Sequence, residues 1–504
     1  MSKLNNTHMR RIALFVKRLG LYLAVAVFGF LVGAAVLYVH LVRSGPPLQL
    51  WHTEALTAEF TAERADEIRT FDNYKRLEQT LFAQLDEEIY ARTETGAAFA
   101  LARYSAGSAA DPQRRKPNWN RSFELPANTA AGGVLLLHGM SDSPYSLRAL
   151  GEALNQRDYW VIGLRLPGHG TAPSGLTTIS WEDMAIVVQL GIEHLSAKVR
   201  PGPIHIIGYS TGAPLALNYA LGVLEGTAVP VPASLVLISP AIAITPAAVL
   251  ATWKVRLAAL PGLEKFAWTA ILPEFDPYKY NSFTSNAGVQ VHRLTRSVAK
   301  RIEARAASSP IKNFPPTLVF LSTVDATVST DAVVDNLLEH LAPGHHELVL
   351  FDINRSSVAS TVLVSDPGPL TARLMANDAL PFALTLITNE NTESTTVVSR
   401  RKAPLSAQAS TEPLNVAWPR GVISLSHVAL PFPPDDPLYG QGPPKNTETI
   451  FLGQIAIQGE RGLLQFSSDW LLRLRHNPFY DFLETRVLEW VDGASDQNAT
   501  PQQK

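Results

Sequence analysis

One serine in the sequence has the neighbours that a nucleophile needs, in the motif GYSTG at residues 208–212. An apolar run, IHII at residues 204–207, precedes the motif, and a helical stretch beginning near Thr211 follows it. A sharp strand-to-helix turn with small neighbours lifts a serine hydroxyl clear of a sheet. The motif therefore predicts that Ser210 is a catalytic nucleophile, and the alternative is a plain glycine-rich turn. The residues expected to shape the turn are Gly208, Tyr209 and Gly212.

A serine nucleophile requires a base, and the base requires a carboxylate that orients it. Asp325 lies on the loop after an apolar run at residues 317–321, where the chain order nucleophile, acid, histidine places the acid. Asp352, after the next apolar run, is the second candidate for the acid. His427 is the expected base because it follows a strand-like run and precedes the last predicted helix, and His476 is the fallback.

Acyl-transfer chemistry also needs N–H donors for the oxyanion that forms when the carbonyl is attacked. The N–H of Thr211, directly after the serine, is the first expected donor. The loop HGMSDSP at residues 138–144 follows an apolar run, and we expect Met140 N–H there to be the second donor. We interpret His138 as a structural residue that orients this loop.

Composition excludes several classes of protein. The 504 residues include 43 basic and 45 acidic side chains, a net charge of −2, so a protein that coats nucleic acid is excluded. Hydrophobic residues make up 46% and charged residues 17%, below the roughly 25% of soluble domains, which excludes disorder and suggests membrane contact. There is no cysteine, hence no disulfide or thiolate metal site, and we expect neither a metal nor another cofactor, since no zinc-protease, Walker or dinucleotide motif is present.

The N-terminal region predicts one transmembrane helix. Residues 21–41 are almost entirely apolar and match the roughly 20 residues that cross a bilayer. Five basic residues precede this run and only Arg43 follows it closely, so we expect a cytoplasmic N-terminus and an extracytoplasmic catalytic domain, periplasmic in a bacterium. A cleaved signal peptide is the alternative, although its apolar core is usually about 7–15 residues.

Beyond the anchor, short β-rich runs alternate with helical stretches from Gly133 onward, which predicts a parallel sheet covered by helices on both faces. Two segments interrupt this alternation and are interpreted as insertions, the second with a possible hairpin around residues 389–391. The predicted divisions are a cytoplasmic segment 1–18, an anchor 19–43, an amphipathic helical connector 44–97, a catalytic domain 98–491 with a cap insertion 241–313 and a second insertion 354–419, and a polar tail 492–504.

Three motifs together resemble the α/β-hydrolase superfamily: HGM at 138–140, LPGHG at 166–170 and the serine turn. The closest resemblance is to the lysophospholipase and monoacylglycerol lipase branch (serine aminopeptidase S33-type), over roughly residues 101–351 and 420–491. It implies a mostly parallel eight-stranded sheet, a Ser-Asp-His triad and a cap. The chain departs from the family in having Ser322 where a glycine is usual and in the long spacing between acid and base.

These patterns and the resemblance predict a membrane-anchored serine hydrolase of carboxylic esters, similar to a lipase, lysophospholipase or esterase, that forms an acyl-enzyme. Its expected partners are a small-molecule or lipid ester and the membrane, and no nucleic acid. Aromatic residues of the cap could line an apolar pocket or could only form the core of the cap. An amide, peptide or thioester hydrolase, an acyltransferase, and a non-catalytic binding protein are the alternatives. Oligomeric state and acyl chain length are left open. The cap aromatics are Trp253, Phe266, Trp268, Phe275, Tyr278, Tyr280 and Phe283.

Overall fold

The computed structural model of the chain describes residues 2–242, 247–325, 327–357, 363–443, 450–453 and 474–499. The helices are α1 Ser2–Arg43, α2 Leu50–Thr53, α3 Phe71–Glu88, α4 Arg148–Asn155, α5 Trp181–Val199, α6 Gly212–Leu224, α7 Ala247–Ala258, α8 Ser285–Ala306, α9 Thr330–Asn336, α10 Gly368–Ala376 and α11 Tyr480–Ala499. The strands are β1 Phe123–Leu125, β2 Gly132–Leu137, β3 Tyr159–Leu164, β4 Ile204–Tyr209, β5 Ser234–Ile238, β6 Trp268–Ala270, β7 Phe283–Thr284, β8 Thr317–Ser322, β9 His346–Phe351, β10 Ala383–Asn389, β11 Thr396–Lys402 and β12 Ala409–Ala417.

Ten of these strands form one sheet in the order β1-β3-β2-β4-β5-β8-β9-β10-β11-β12. The seven strands from β3 to β10 in this order are parallel, while β1 at one end and β11 and β12 at the other are antiparallel. The expected α/β-hydrolase fold is confirmed. The sheet has more strands than the eight that the resemblance implies, because the second insertion adds β10, β11 and β12.

The central strands read as continuous apolar runs because both faces of the sheet are buried. Along β2, Leu135 and Leu137 belong to one core with α5 and α6, whereas Val134 and Leu136 belong to the other core with α4 and α11. Successive side chains of a strand point to opposite faces, so one short run supplies both cores. Each fully buried aliphatic side chain of this kind contributes about 1.5–3 kcal/mol to folding.

The cap lies between β5 and β8 in the chain and contains α7, the two-stranded sheet of β6 and β7, and α8. Within the predicted range 241–313, residues 243–246 lie outside the described residues. Two local predictions were wrong. Residues 422–426, the strand-like run before His427, form no strand, and α11 continues to Ala499, so residues 492–499 of the predicted polar tail are helical.

Helix α1 is continuous from Ser2 to Arg43, and its segment Leu14–Arg43 has a mean hydropathy of 2.3 with none of its most apolar window buried. Thirty residues of helix span about 45 Å, enough to cross a bilayer, although a signal sequence has similar properties. Near its C-terminal end, the Tyr38 ring lies 5.8 Å from the rings of both Trp253 and Phe266 in the cap.

A buried ion network fastens the connector to the catalytic domain. Arg165, directly after β3, is fully buried; it donates to Glu78 of α3 over 2.9 Å and to Glu59 over 2.9 Å with both terminal nitrogens. Burial raises the pKa of Glu78. Burial also acts to raise the pKa of Glu59, but Arg165 and the N–H groups of Phe60 and Gly168 hold it below its usual value. One guanidinium thus joins two connector carboxylates to the exit of a core strand.

We predict that Arg165→Met lowers the free energy of unfolding by about 3–5 kcal/mol, because it leaves two buried carboxylates without their cation. The measurement is urea-induced unfolding of the detergent-solubilised full chain. The matched control is Arg69→Met, which removes a guanidinium whose side chain is 73% exposed and should change stability by less than about 0.5 kcal/mol. Equal effects of the two substitutions would contradict a structural role for the network.

Candidate active site

The turn between β4 and α6 holds Ser210 in a strained backbone conformation. Its φ of 52° lies in the left-handed region, which an L-serine adopts at a cost of about 1–3 kcal/mol. The Ser210 N–H donates to the carbonyl of Ile238 at the end of β5 over 2.9 Å. The turn is therefore anchored to the neighbouring strand, and the serine lies at the carboxyl edge of the sheet.

Close packing around this turn explains why three glycines surround it. A Cβ on Gly212 would lie 2.1 Å from the carbonyl oxygen of Leu137, and a Cβ on Gly208 would lie 2.5 Å from the backbone of Gly212. A Cβ on Gly139 would lie 3.0 Å from the Cβ of Ser210. The serine turn therefore packs directly against the end of β2 and the loop that follows it.

The two predicted oxyanion donors lie on the two sides of this contact. Thr211 is buried at the start of α6, and Met140 directly follows Gly139. Neither backbone N–H makes a hydrogen bond to another described part of the chain. Both remain available to an oxygen atom bound beside Ser210, where the N-terminus of α6 also favours negative charge.

His138 has the structural role that we expected. Its Nε2 accepts the N–H of Leu166 over 3.1 Å, which leaves the proton on Nδ1 to donate to the Gly139 carbonyl over 2.9 Å. Burial, with a contribution from the nearby His169, lowers the pKa of His138 well below its usual value, so the ring stays neutral. The imidazole thus fixes the loop carrying Met140 to the turn at residues 166–170.

The structure brings Asp325 and His427 together across 102 residues of sequence. His427 Nδ1 lies 2.8 Å from Asp325 Oδ2, and both side chains are buried. Asp325 Oδ1 accepts the N–H groups of Thr327 and Val328 over 2.8 and 2.9 Å. Burial acts to raise the pKa of Asp325, but His427 and these N–H groups outweigh it and lower the pKa below its usual value. The carboxylate is therefore ionised and suited to orient the imidazole.

His427 also lies beside the serine turn. Its ring centroid is 5.5 Å from that of Tyr209, the residue before Ser210, and the Tyr209 hydroxyl donates to the His427 carbonyl over 3.4 Å. The predicted nucleophile, acid and base thus occupy the same edge of the sheet, although they come from three distant segments.

The two fallback candidates have other surroundings. Asp352 is bound by the Arg355 guanidinium at 2.9 and 3.0 Å and by the Thr388 hydroxyl at 2.9 Å. His476 is buried, burial lowers its pKa, and its Nδ1 has no hydrogen-bond partner in the described part of the chain. The structure therefore gives neither of them the pairing that a triad requires.

Sequence reasoning missed the contacts that join the cap to the loop after β2. Lys279 Nζ of the cap lies 3.0 Å from Asp142 Oδ1, and the Tyr280 N–H donates to the Ser141 carbonyl over 2.8 Å. The Tyr278 ring stacks on Tyr145 at 4.1 Å. The one signal in the sequence for such a contact was the carboxylate of Asp142 within the HGMSDSP loop, which could pair with a cation. Four cap aromatics are buried, namely Phe266, Trp268, Tyr278 and Tyr280, whereas Trp253 is 41% exposed. Tyr278 and Tyr280 pack in clusters that they share with residues outside the cap.

The glycine contacts make a testable prediction. Gly212→Ala should destabilise the protein by about 1–3 kcal/mol, since the new methyl group would collide with the carbonyl of Leu137. A shift of about 1 Å at the serine should also reduce ester hydrolysis about 10²-fold. The readouts are the melting temperature and kcat/KM on a p-nitrophenyl ester. As a control, Gly288→Ala in α8 meets its nearest atom at 3.8 Å, so it should leave activity unchanged. Wild-type activity of Gly212→Ala would refute this packing.

Comparison with known proteins supports the α/β-hydrolase fold. The sequence profile of the "Alpha/beta hydrolase family" matches residues 134–373. A thermostable monoacylglycerol lipase from Bacillus sp. (strain H-257) is 38% identical over 88 residues, which are 18% of this chain and 34% of that protein. The chain thus spans only about a third of that relative's length.

Solved structures with a similar fold include a monoacylglycerol lipase from Paleococcus ferrophilus, with 20% identity, a TM-score of 0.35 and coverage of 46% of this chain and 88% of that one. Another is a soluble variant of monoglyceride lipase from Saccharomyces cerevisiae, with 15% identity, a TM-score of 0.35 and coverage of 46% and 82%. The chain thus has the α/β-hydrolase fold, its residues 134–373 match the α/β-hydrolase family, and it is similar to proteins of the monoacylglycerol lipase type.

Proposed function

We propose that this chain is a membrane-anchored serine hydrolase that cleaves carboxylic esters of lipids or lipid-like molecules. The observation that carries the proposal is the buried pair of Asp325 and His427, 2.8 Å apart, beside the strained turn of Ser210. Such an arrangement suits nucleophilic catalysis, in which a base activates a serine and a carboxylate orients the base.

In the proposed mechanism, Ser210 Oγ attacks the ester carbonyl while Nε2 of His427 accepts its proton. Asp325 holds the proton on Nδ1 and stabilises the imidazolium that forms. The oxyanion of the tetrahedral intermediate accepts the N–H groups of Met140 and Thr211. His427 then protonates the leaving alcohol, and water, activated by the same imidazole, releases the acyl group from the serine.

Two observations support a lipid-like ester as the substrate. The Bacillus relative is described as a monoacylglycerol lipase, and its similarity to this chain extends over 88 residues. The chain also carries a long apolar helix whose C-terminal end contacts the cap, so a membrane would hold the site near lipid esters. The same triad could serve an amide or thioester hydrolase or an acyltransferase, and the substrate test below separates these chemistries.

We further propose that α1 is a retained anchor, with the N-terminus cytoplasmic and the catalytic domain on the other side. The contacts with the cap support retention. Lys265 Nζ donates to the carbonyls of Arg43 and Gly45 over 2.8 and 2.6 Å, which satisfies acceptors at the C-terminal end of the helix. Tyr38 packs on Trp253 and Phe266 just below that end. Cleavage of the helix would remove this contact from the buried Phe266 ring and from the part of Trp253 that the helix covers.

The catalytic proposal predicts that Ser210→Ala abolishes labelling by a fluorophosphonate probe and lowers kcat on esters by about 10⁴–10⁶-fold. His427→Ala should lower kcat similarly. The matched control is His476→Ala, another buried histidine, which should retain activity. Esters of graded acyl length, with the corresponding amides and thioesters, define the substrate class in membrane fractions.

Four results would contradict parts of this proposal. Wild-type protein that does not label would exclude a serine hydrolase. Loss of activity in His476→Ala alone would identify the other histidine as the base. Activity confined to short acyl chains would exclude lipids as the substrate class. Faster turnover of amides or thioesters would show that esters are not the preferred substrates.

The anchoring proposal predicts that the full chain stays in the membrane during alkaline carbonate extraction. A C-terminal tag should be digested by protease added from the extracytoplasmic side, while an N-terminal tag should be protected, as the distribution of basic residues requires. Release by carbonate, or loss of the N-terminal tag from the mature protein, would show that α1 is a peripheral or cleaved segment.

A further inference from the structure

A cavity of about 260 Å³ lies away from the candidate catalytic residues, between α3, the segment 103–121 and the turn at Gly170. Its described lining is strongly basic. Four cationic side chains face one carboxylate, Asp86, which leaves a formal charge of +3. The four cations are Arg103, Arg115, Lys116 and Arg121.

Arg103 is the unusual member of this group because it is 1% exposed and has no acidic partner within 4 Å among the described residues. Its guanidinium donates only to neutral acceptors, the Asp276 and Gly170 carbonyls and the Asn120 amide oxygen, over 3.2–3.3 Å. Its Nε has no hydrogen-bond partner there. Burial of this cation is costly, and the Tyr104 and Tyr280 rings at 5.5 and 5.1 Å and the more distant Glu274 carboxylate offset part of that cost. The protein retains the cation at the edge of a cavity.

Arg165, the other buried arginine among the described residues, provides the comparison. Arg165 is equally buried, but two carboxylates, Glu59 and Glu78, neutralise it at 2.9 Å. A structural arginine in this protein is thus compensated by acidic side chains. Arg103 has no carboxylate in direct contact among the described residues, so an anionic ligand in the adjoining cavity would supply that contact.

Two other cations that line the cavity also have incompletely satisfied or poorly solvated charged groups. Arg115 donates from one terminal nitrogen to the Ile450 carbonyl over 2.9 Å, while its buried Nε also has no partner in the described part of the chain. Arg121 lies over the Phe82 ring at 4.0 Å, and burial lowers its pKa, which shows that its charge too is poorly solvated. Asp86 is occupied by the Gln113 amide at 2.6 Å.

We propose that this cavity binds a phosphate group. A phosphate offers several acceptor oxygens and up to two negative charges to guanidinium N–H groups, which bind it in the bidentate geometry typical of arginine. The volume is below the roughly 300 Å³ at which pockets begin to enclose drug-sized ligands, so it suits a phosphate with a small substituent. The phosphate could belong to a soluble metabolite or to the head group of a phospholipid.

The experiment measures thermal unfolding of the detergent-solubilised full chain, with Ser210→Ala in every sample to prevent turnover. One arm titrates inorganic phosphate against chloride at constant ionic strength. The other titrates dihexanoyl phosphatidic acid below its micellar concentration, with dihexanoylglycerol as the phosphate-free control. A ligand that binds only the folded state raises the melting temperature along a saturable curve.

Arg115→Gln and Arg121→Gln should each weaken phosphate binding at least about tenfold, since each removes a charge-assisted contact. The control Lys312→Gln removes an exposed cation outside the cavity and should bind like the parent. Both cavity variants alter partly exposed side chains, so they keep the test valid even if a substitution at Arg103 prevents folding.

A saturable response to inorganic phosphate that the cavity variants lose identifies a soluble phosphate compound as the ligand source. A response only to phosphatidic acid, lost in the same variants, identifies the lipid head group. No response in either arm, or equal responses in parent and cavity variants, overturns the proposal. None of these readouts depends on ester hydrolysis, so failure here leaves the proposed activity untouched.

Discussion

The structure depends on one close contact, between the turn at Ser210 and the end of β2. The positive φ of this serine is unfavourable, and it persists because the surrounding backbone leaves no alternative. Gly212 lies against the Leu137 carbonyl and Gly139 against Ser210, with no room for a Cβ at either place. This contact places the proposed nucleophile beside the loop of Met140, which carries one of the two N–H groups that would hold the oxyanion.

The proposed base, His427, lies beside this contact although a long insertion precedes it in the sequence. The second insertion leaves the core at Asn354 and returns at Val422, and the two ends are joined there. Asn354 N–H donates to the Ile423 carbonyl over 2.7 Å, and its side chain donates to the Val422 carbonyl over 2.8 Å. The two ends of the insertion therefore lie next to each other, so that the segment carrying His427 begins close to the end of β9. The inserted residues extend the sheet without separating these ends, which is why Asp325 and His427 can pair across 102 residues of sequence.

The sequence predicts those parts of the fold and the site that depend on residues close together in the chain. The serine turn was recognisable because its strand, glycines and helix are contiguous, and Asp325 because it follows a buried strand. His427 could be chosen only from its position in the chain order. A catalytic base must contact the acid, and His427 does lie 2.8 Å from Asp325. The catalytic roles of both residues remain proposals. The strand number could not be predicted, since β12 is almost wholly exposed and has no apolar alternation. Residues 422–426 are apolar enough for a strand but pair with none.

The contacts that sequence cannot show form a continuous connection from the N-terminal helix to the site. Tyr38 of α1 packs on Trp253 and Phe266 of the cap. At the other side of the cap, Lys279 pairs with Asp142 and the Tyr280 N–H binds the Ser141 carbonyl.

Asp142 and Ser141 follow Met140, the proposed second oxyanion donor, on the same loop. The helix that would lie in the membrane is therefore connected through the cap to the loop that would stabilise the transition state. Because the same cap contacts both the proposed anchor and the loop of the proposed oxyanion donor, the position of the cap constrains both elements.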